Sequence, residues 1–159
     1  MRIALIVAVA AMGGARSALL TAQNPPVAKE IRVDALVASH AAVEVGGSLV
    51  VPQGVYARTA LTAATGVVWR AGATESATRL EVTSRFLLDP FRESPYGLSI
   101  GGGLGVTNAS AGSRWRPYLA FLFDLELPRT GQVTPALQLG LGGGARLGVV
   151  FRTGVDRWR

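Results

Sequence analysis

Hydrophobic and polar positions alternate with period two along most of the chain. In the stretch 95–107, Tyr96, Leu98, Ile100, Leu104 and Val106 share one parity, and Gly97, Ser99, Gly101, Gly103, Gly105 and Thr107 share the other. In 76–89, Leu80, Val82, Phe86 and Leu88 oppose Arg79, Glu81, Thr83, Arg85 and Asp89. In 114–126, Trp115, Leu119, Phe121, Phe123 and Leu125 oppose Arg114, Arg116, Tyr118, Asp124 and Glu126. Successive side chains of an extended strand point to opposite faces, so this pattern predicts strands, and no 3.6-residue stripe competes with it. Turn residues separate the runs at Pro52 to Gly54, Ala71 to Thr74, Asp89 to Pro95, Asn108 to Ser113 and Pro128 to Gln132. The expected fold is all-β, an antiparallel up-and-down meander.

Charge follows the same parity. Six runs, 31–51, 54–70, 76–89, 95–107, 114–126 and 133–152, hold fifteen charged residues, and all fifteen lie on a single face of their own run. With the face free to choose in each run, chance gives this about once in 500 trials for period-two strands. The charged face is otherwise Gly, Ala, Ser and Thr; the opposite face is bulky and takes most of the aromatics. A water-facing surface usually carries about 25–35% charged residues. Small residues with a few long Arg and Glu instead suit the inside of a narrow barrel. The bulky, charge-free face suits lipid, where Arg at mid-bilayer costs about 2–4 kcal/mol. Trp69, Tyr96, Trp115 and Phe151 fall near run ends, as in an interfacial aromatic belt. The expectation is a closed barrel over 31–152 with its polar face inside. A soluble periplasmic lipocalin-like barrel, with the apolar face turned inward around an apolar ligand, is the alternative.

Six runs allow six long strands, but eight is favoured. The first and last runs are long enough to be hairpins, and outer-membrane barrels have even strand counts. Parity is kept across Gly142-Gly143-Gly144, which a three-residue loop or one uninterrupted strand preserves and a two-residue loop would flip. Ser39-His40-Ala41 keeps parity too, but is a poor turn by composition.

The start of the chain reads as a targeting segment. Met1-Arg2 is basic, Ile3 to Met12 is apolar, and small and polar residues follow through Ala22. That is the layout of a secretory signal peptide, expected here as 1–22 with cleavage after Ala22, or else after Ser17. Residues 23–30 are expected as a linker and 153–159 as a tail. The 159-residue chain has 49% apolar residues, only 16% charged ones, 20 Gly, no Cys and one His. Such a composition excludes disorder, a disulfide scaffold, a thiolate metal site and a His-rich site. The basic residues are scattered, which argues against a nucleic-acid stripe.

Alternating glycine-rich strands behind a signal segment, without cysteine, resemble the small bacterial outer-membrane β-barrel proteins of the eight-stranded type. The resemblance covers about 31–152 and rests on pattern. It implies outer-membrane lipid around the barrel, insertion by the barrel-assembly machinery, and a monomer without cofactor or metal. Leu147, Val149 and Phe151 form the terminal alternation that such proteins present to that machinery, and here the chain continues to Arg159.

The chemistry such a chain offers is mainly charge. Candidate lumen residues are Arg58, Arg79, Glu81, Arg85, Arg116, Asp124, Glu126 and Arg146. Candidate lipid-facing residues are Leu80, Val82, Phe86, Leu98, Ile100, Leu119, Phe121, Phe123, Leu137, Leu139, Leu147 and Phe151. Nine Arg and six acids on the polar face leave it at +3. Buried charges need partners, so salt bridges filling the barrel are expected, with Arg116 beside Asp124 and Glu126. A weakly anion-selective path is the functional alternative. His40 has no G-x-S-x-G partner, and the glycine strings 101–105 and 140–148 lack the Walker lysine. The expected protein is therefore not an enzyme, and contributes to envelope structure or limited passive permeability.

Overall fold

The computed structural model describes residues 27–70, 72–91, 93–109 and 114–154. The expected signal segment and most of the expected tail lie outside the described residues. Eight strands follow in order: β1 Ala28–Val37, β2 Ala41–Gln53, β3 Ala57–Arg70, β4 Ala73–Leu87, β5 Gly97–Ala109, β6 Arg116–Glu126, β7 Val133–Leu141 and β8 Ala145–Thr153. Each pairs antiparallel with the next, and β8 pairs with β1 to close the barrel. Closure removes both sheet edges, so every strand has hydrogen-bonding partners on its two sides.

The runs 31–51 and 133–152 are both hairpins. Val37 pairs with Ala41 and Leu141 with Ala145, so each loop has three residues and parity carries through. Gly142, Gly143 and Gly144 all take positive φ, with Gly143 at 70°, a region that glycine enters without steric cost. The 38–40 turn holds no glycine and is closed by the Ala38 N–H donating to the His40 carbonyl at 2.9 Å. Between β3 and β4, Arg70 pairs directly with Ala73, and the inward parity changes from even to odd across that two-residue turn. The strand start also differs from expectation. β1 begins at Ala28, so Ala28, Lys29 and Glu30 belong to the sheet and not to a linker.

The near rim carries Ala28, Thr153 and the connections 54–56, 88–96 and 127–132. The far rim carries the turns 38–40 and 142–144, the tight β3–β4 turn, and the link from β5 to β6.

The faces are sorted by parity. Among the described strand residues, Lys29 at the near rim is the only charged side chain on the outward parity. The exterior is a belt of exposed Val, Leu, Ile and Phe, with Leu119 62% exposed. Trp69 and Trp115 lie toward the far rim; Phe86, Tyr96 and Phe151 lie toward the near rim. Tyr56 stacks edge-on to Phe91 beside them, with ring centroids 6.1 Å apart. Inside, Arg79 is 1% and Asp34 0% exposed. Two small apolar groups flank the polar interior: Ala28, Val50 and Ala60 toward the near rim, and Ala42, Val68 and Ala77 with Leu36 toward the far rim. The bulky face is therefore outside, opposite to what a lipocalin-like cup would require.

Candidate functional site

The site is the charged interior. Strand parity turns Glu30, Arg32 and Asp34 of β1, Glu44 of β2, Arg58 of β3, and Arg79, Glu81 and Arg85 of β4 inward, together with Asp124 and Glu126 of β6 and Arg146 and Arg152 of β8. Glycines on the same parity make room for them. A Cβ on Gly148 would overlap the Asp34 carboxylate, its register partner across the closing seam.

Toward the near rim, Glu30 Oε1 accepts from Arg85 Nη2 at 2.6 Å and from Arg152 Nε at 2.7 Å. Arg152 also donates Nη1 to Glu126 Oε1 at 2.9 Å and lies 2.7 Å from Asp124 Oδ2. Arg58 donates to Glu126 at 2.6 Å, and Ser99 Oγ to Asp124 at 3.3 Å. Toward the far rim, Arg79 bridges three strands. It donates Nε to Glu44 Oε2 at 2.6 Å, bonds Asp34, and lies 3.1 Å from Glu81 on its own strand. Glu81 Oε1 further accepts from Arg146 at 2.7 Å and from the Tyr118 hydroxyl at 2.6 Å. Arg32 holds Asp34 at 2.8 Å and bonds Gln138.

Six arginines meet six carboxylates here, so the ion-paired interior is formally neutral. The sequence count of +3 needs three corrections. Glu30, which the linker assignment excluded, is part of the network. Asp89 is not: it sits in the β4–β5 connection and accepts from the Glu93 and Ser94 N–H groups at 3.2 and 3.1 Å. The surplus arginines Arg70, Arg114 and Arg116 stand at the far rim, exposed, with no acidic partner among the described residues.

Of the eight expected lumen residues, Arg79, Glu81, Arg85, Asp124, Glu126 and Arg146 are buried inside and Arg58 is partly buried. Arg116 lies elsewhere. It shares the inward parity of β6 but sits at the opposite end of that strand from Asp124, about 26 Å away at strand rise, so the expected pairing does not form. The twelve expected lipid-facing residues all lie on the exterior and are exposed. Arg32, Asp34, Glu44, Arg152 and Gln138 also belong to the network, and the charged parity places all but Gln138 on this face.

His40 Nδ1 lies 3.1 Å from Ser39 Oγ at the far rim, and no hydrogen bond joins His40 to a carboxylate among the described residues. Among those residues no group of three or more His, Cys, Asp or Glu is placed to hold a metal. Among the described residues no helix is long and apolar enough to cross a membrane.

No protein-family profile and no curated protein sequence matches this chain. Among solved structures it is similar to Neisserial surface protein A (NspA). The TM-score is 0.55 at 13% identity, over 80% of this chain and 95% of that one. It also aligns with the de novo designed TMB2.3, at TM-score 0.48 and 15% identity, over 84% of this chain and 98% of that one. The likeness to NspA concerns the fold, which in this chain is a closed eight-stranded antiparallel barrel.

Proposed function

We propose that the chain is exported to the bacterial outer membrane and serves there as a monomeric, non-enzymatic barrel that contributes to envelope structure. One observation carries the reading: charge is inside, apolar bulk is outside, and aromatics cluster toward both rims. Left in water, the exterior would be a continuous apolar belt far larger than soluble monomers tolerate. In lipid the same belt is solvated, and ring closure gives each strand two neighbours, with only Arg116 to Ala120 of β6 extending past the end of β7. The likeness to NspA, a surface protein by name, supports the location. Outer-membrane lipid and the barrel-assembly machinery are then its partners.

The interior favours structure over permeation. An eight-stranded barrel is about as wide as its own side chains need. Here those side chains are arginines and carboxylates locked to one another at 2.6–2.9 Å across strands. No net charge remains in that layer to select an ion.

Fractionation with and without detergent, followed by gel mobility before and after boiling, tests the reading. The expected result is a membrane-fraction protein whose mobility shifts only on boiling. A chain that stays in the soluble periplasmic fraction overturns it.

A further inference from the structure

We infer that the far-rim vestibule is a binding site for a phosphate-bearing amphiphile. Above the neutral network the barrel opens into a cavity of about 430 Å³. Arg70 of β3, Arg114, and Arg116 of β6 line it, and none has an acidic partner among the described residues. The paired interior below holds equal numbers of positive and negative groups, and at this rim the three arginines outnumber the one inward-parity carboxylate, half-buried Glu75 of β4, so positive charge is in excess at this mouth. Guanidinium groups suit phosphate through charge-assisted, often bidentate hydrogen bonds.

The other wall of the cavity is different in kind. Leu36, Ala42, Val68 and Ala77 from β1 to β4 present an apolar surface to the same space. A free inorganic anion uses the arginines alone; an amphiphile uses both walls. The barrel wall is also lowest on one side of this mouth. β7 ends at Leu141, and its ladder with β6 stops at Phe121, so the outer half of β6, Arg116 to Ala120, has no β7 partner. Lipid around the barrel therefore reaches Arg116 more closely there than at any fully paired seam. The inference shares the membrane reading above but concerns a different part of the molecule.

The test uses the full barrel in zwitterionic detergent, with the fluorescence of Trp115, next to Arg116, as reporter. The probes are short-chain phosphatidate, inorganic phosphate and a short-chain phosphatidylcholine without net charge. Phosphatidate is expected to bind saturably and at least tenfold more tightly than either of the others. The double variant Arg70→Gln, Arg116→Gln is expected to weaken it at least tenfold. Arg129→Gln, the same change in the 127–132 connection of the near rim, is expected to leave it unaltered. Equal affinity for inorganic phosphate overturns the amphiphile assignment. Binding that survives the double variant, or that Arg129→Gln weakens as much, overturns the vestibule site. Boiling-dependent mobility of each variant, read in parallel, separates loss of the site from loss of the barrel.

Discussion

Arg79 on β4 donates its Nε to Glu44 on β2 at 2.6 Å, reaching across the whole width of β3. The two backbones are about 10 Å apart at normal strand spacing, so the contact ties together strands that share no ladder. Among the described residues Arg79 is the only ion-pair partner of Glu44, whereas Asp34 also has Arg32 and Glu81 also has Arg146. Arg79→Met should therefore cost about 3–5 kcal/mol, most of it from the stranded Glu44. The double variant Arg79→Met, Glu44→Leu should recover a large part of that loss. Urea unfolding in lipid vesicles, followed by tryptophan fluorescence, measures both. Simple addition of the two single effects would contradict the coupling.

Gly148 faces Asp34 so closely that any Cβ would overlap the carboxylate. Gly148→Val should displace Asp34 from Arg32 and Arg79 and destabilise by about 1–3 kcal/mol, the usual cost of overpacking. Gly47 lies on the outward parity, where a Cβ would meet only the Glu30 carbonyl oxygen, at 3.5 Å. Gly47→Ala should change stability by less than about 0.5 kcal/mol. The same unfolding assay compares the two, and equal effects would show that the interior has slack.

Leu80 sits midway along β4 on the exterior, and Leu88 lies just past its end. In a bilayer, Leu80→Arg should cost about 2–4 kcal/mol and Leu88→Arg about 0–1 kcal/mol, because the penalty depends on depth. The reading is made in vesicles by denaturant titration. If the two substitutions were equally mild, the belt would not be in contact with lipid.

The neutral interior predicts electrical silence. Incorporated into a planar bilayer, the protein should show no discrete openings in either polarity. Steady, salt-dependent conductance through single molecules would mean that the Arg–carboxylate layer leaves a path, and would restore permeation as a function.

Parity was enough to place Arg79, Glu81 and Arg85 inside and Leu80, Val82 and Phe86 outside, because register in a barrel shifts a whole face at once. At Gly142 to Gly144 parity alone fits a three-residue hairpin or one continuous strand, and the structure forms the hairpin. Other features had no such signal. The 38–40 turn is made by residues that do not mark turns, so the first hairpin could be read equally well as one strand. Glu30 follows the even parity of Arg32 and Asp34, but it falls before residue 31, where the alternating run is expected to begin. Arg116 was placed with Asp124 because they share a face. Sharing a face says nothing about depth, and on an eleven-residue strand depth separates the two ends of the barrel.

Four of the six buried carboxylates, Glu30, Glu81, Asp124 and Glu126, bind an arginine of β8. β8 is the last strand in chain order, so a barrel with seven strands in place holds an acidic interior that its own arginines do not neutralise. Each of those carboxylates then favours water over a closed lumen. Arg146 and Arg152 lie on one strand, so the segment that completes the ladder is also the one that neutralises the inside. The nine residues of β8 thus carry both the seam that closes the sheet and the two arginines that balance the inside.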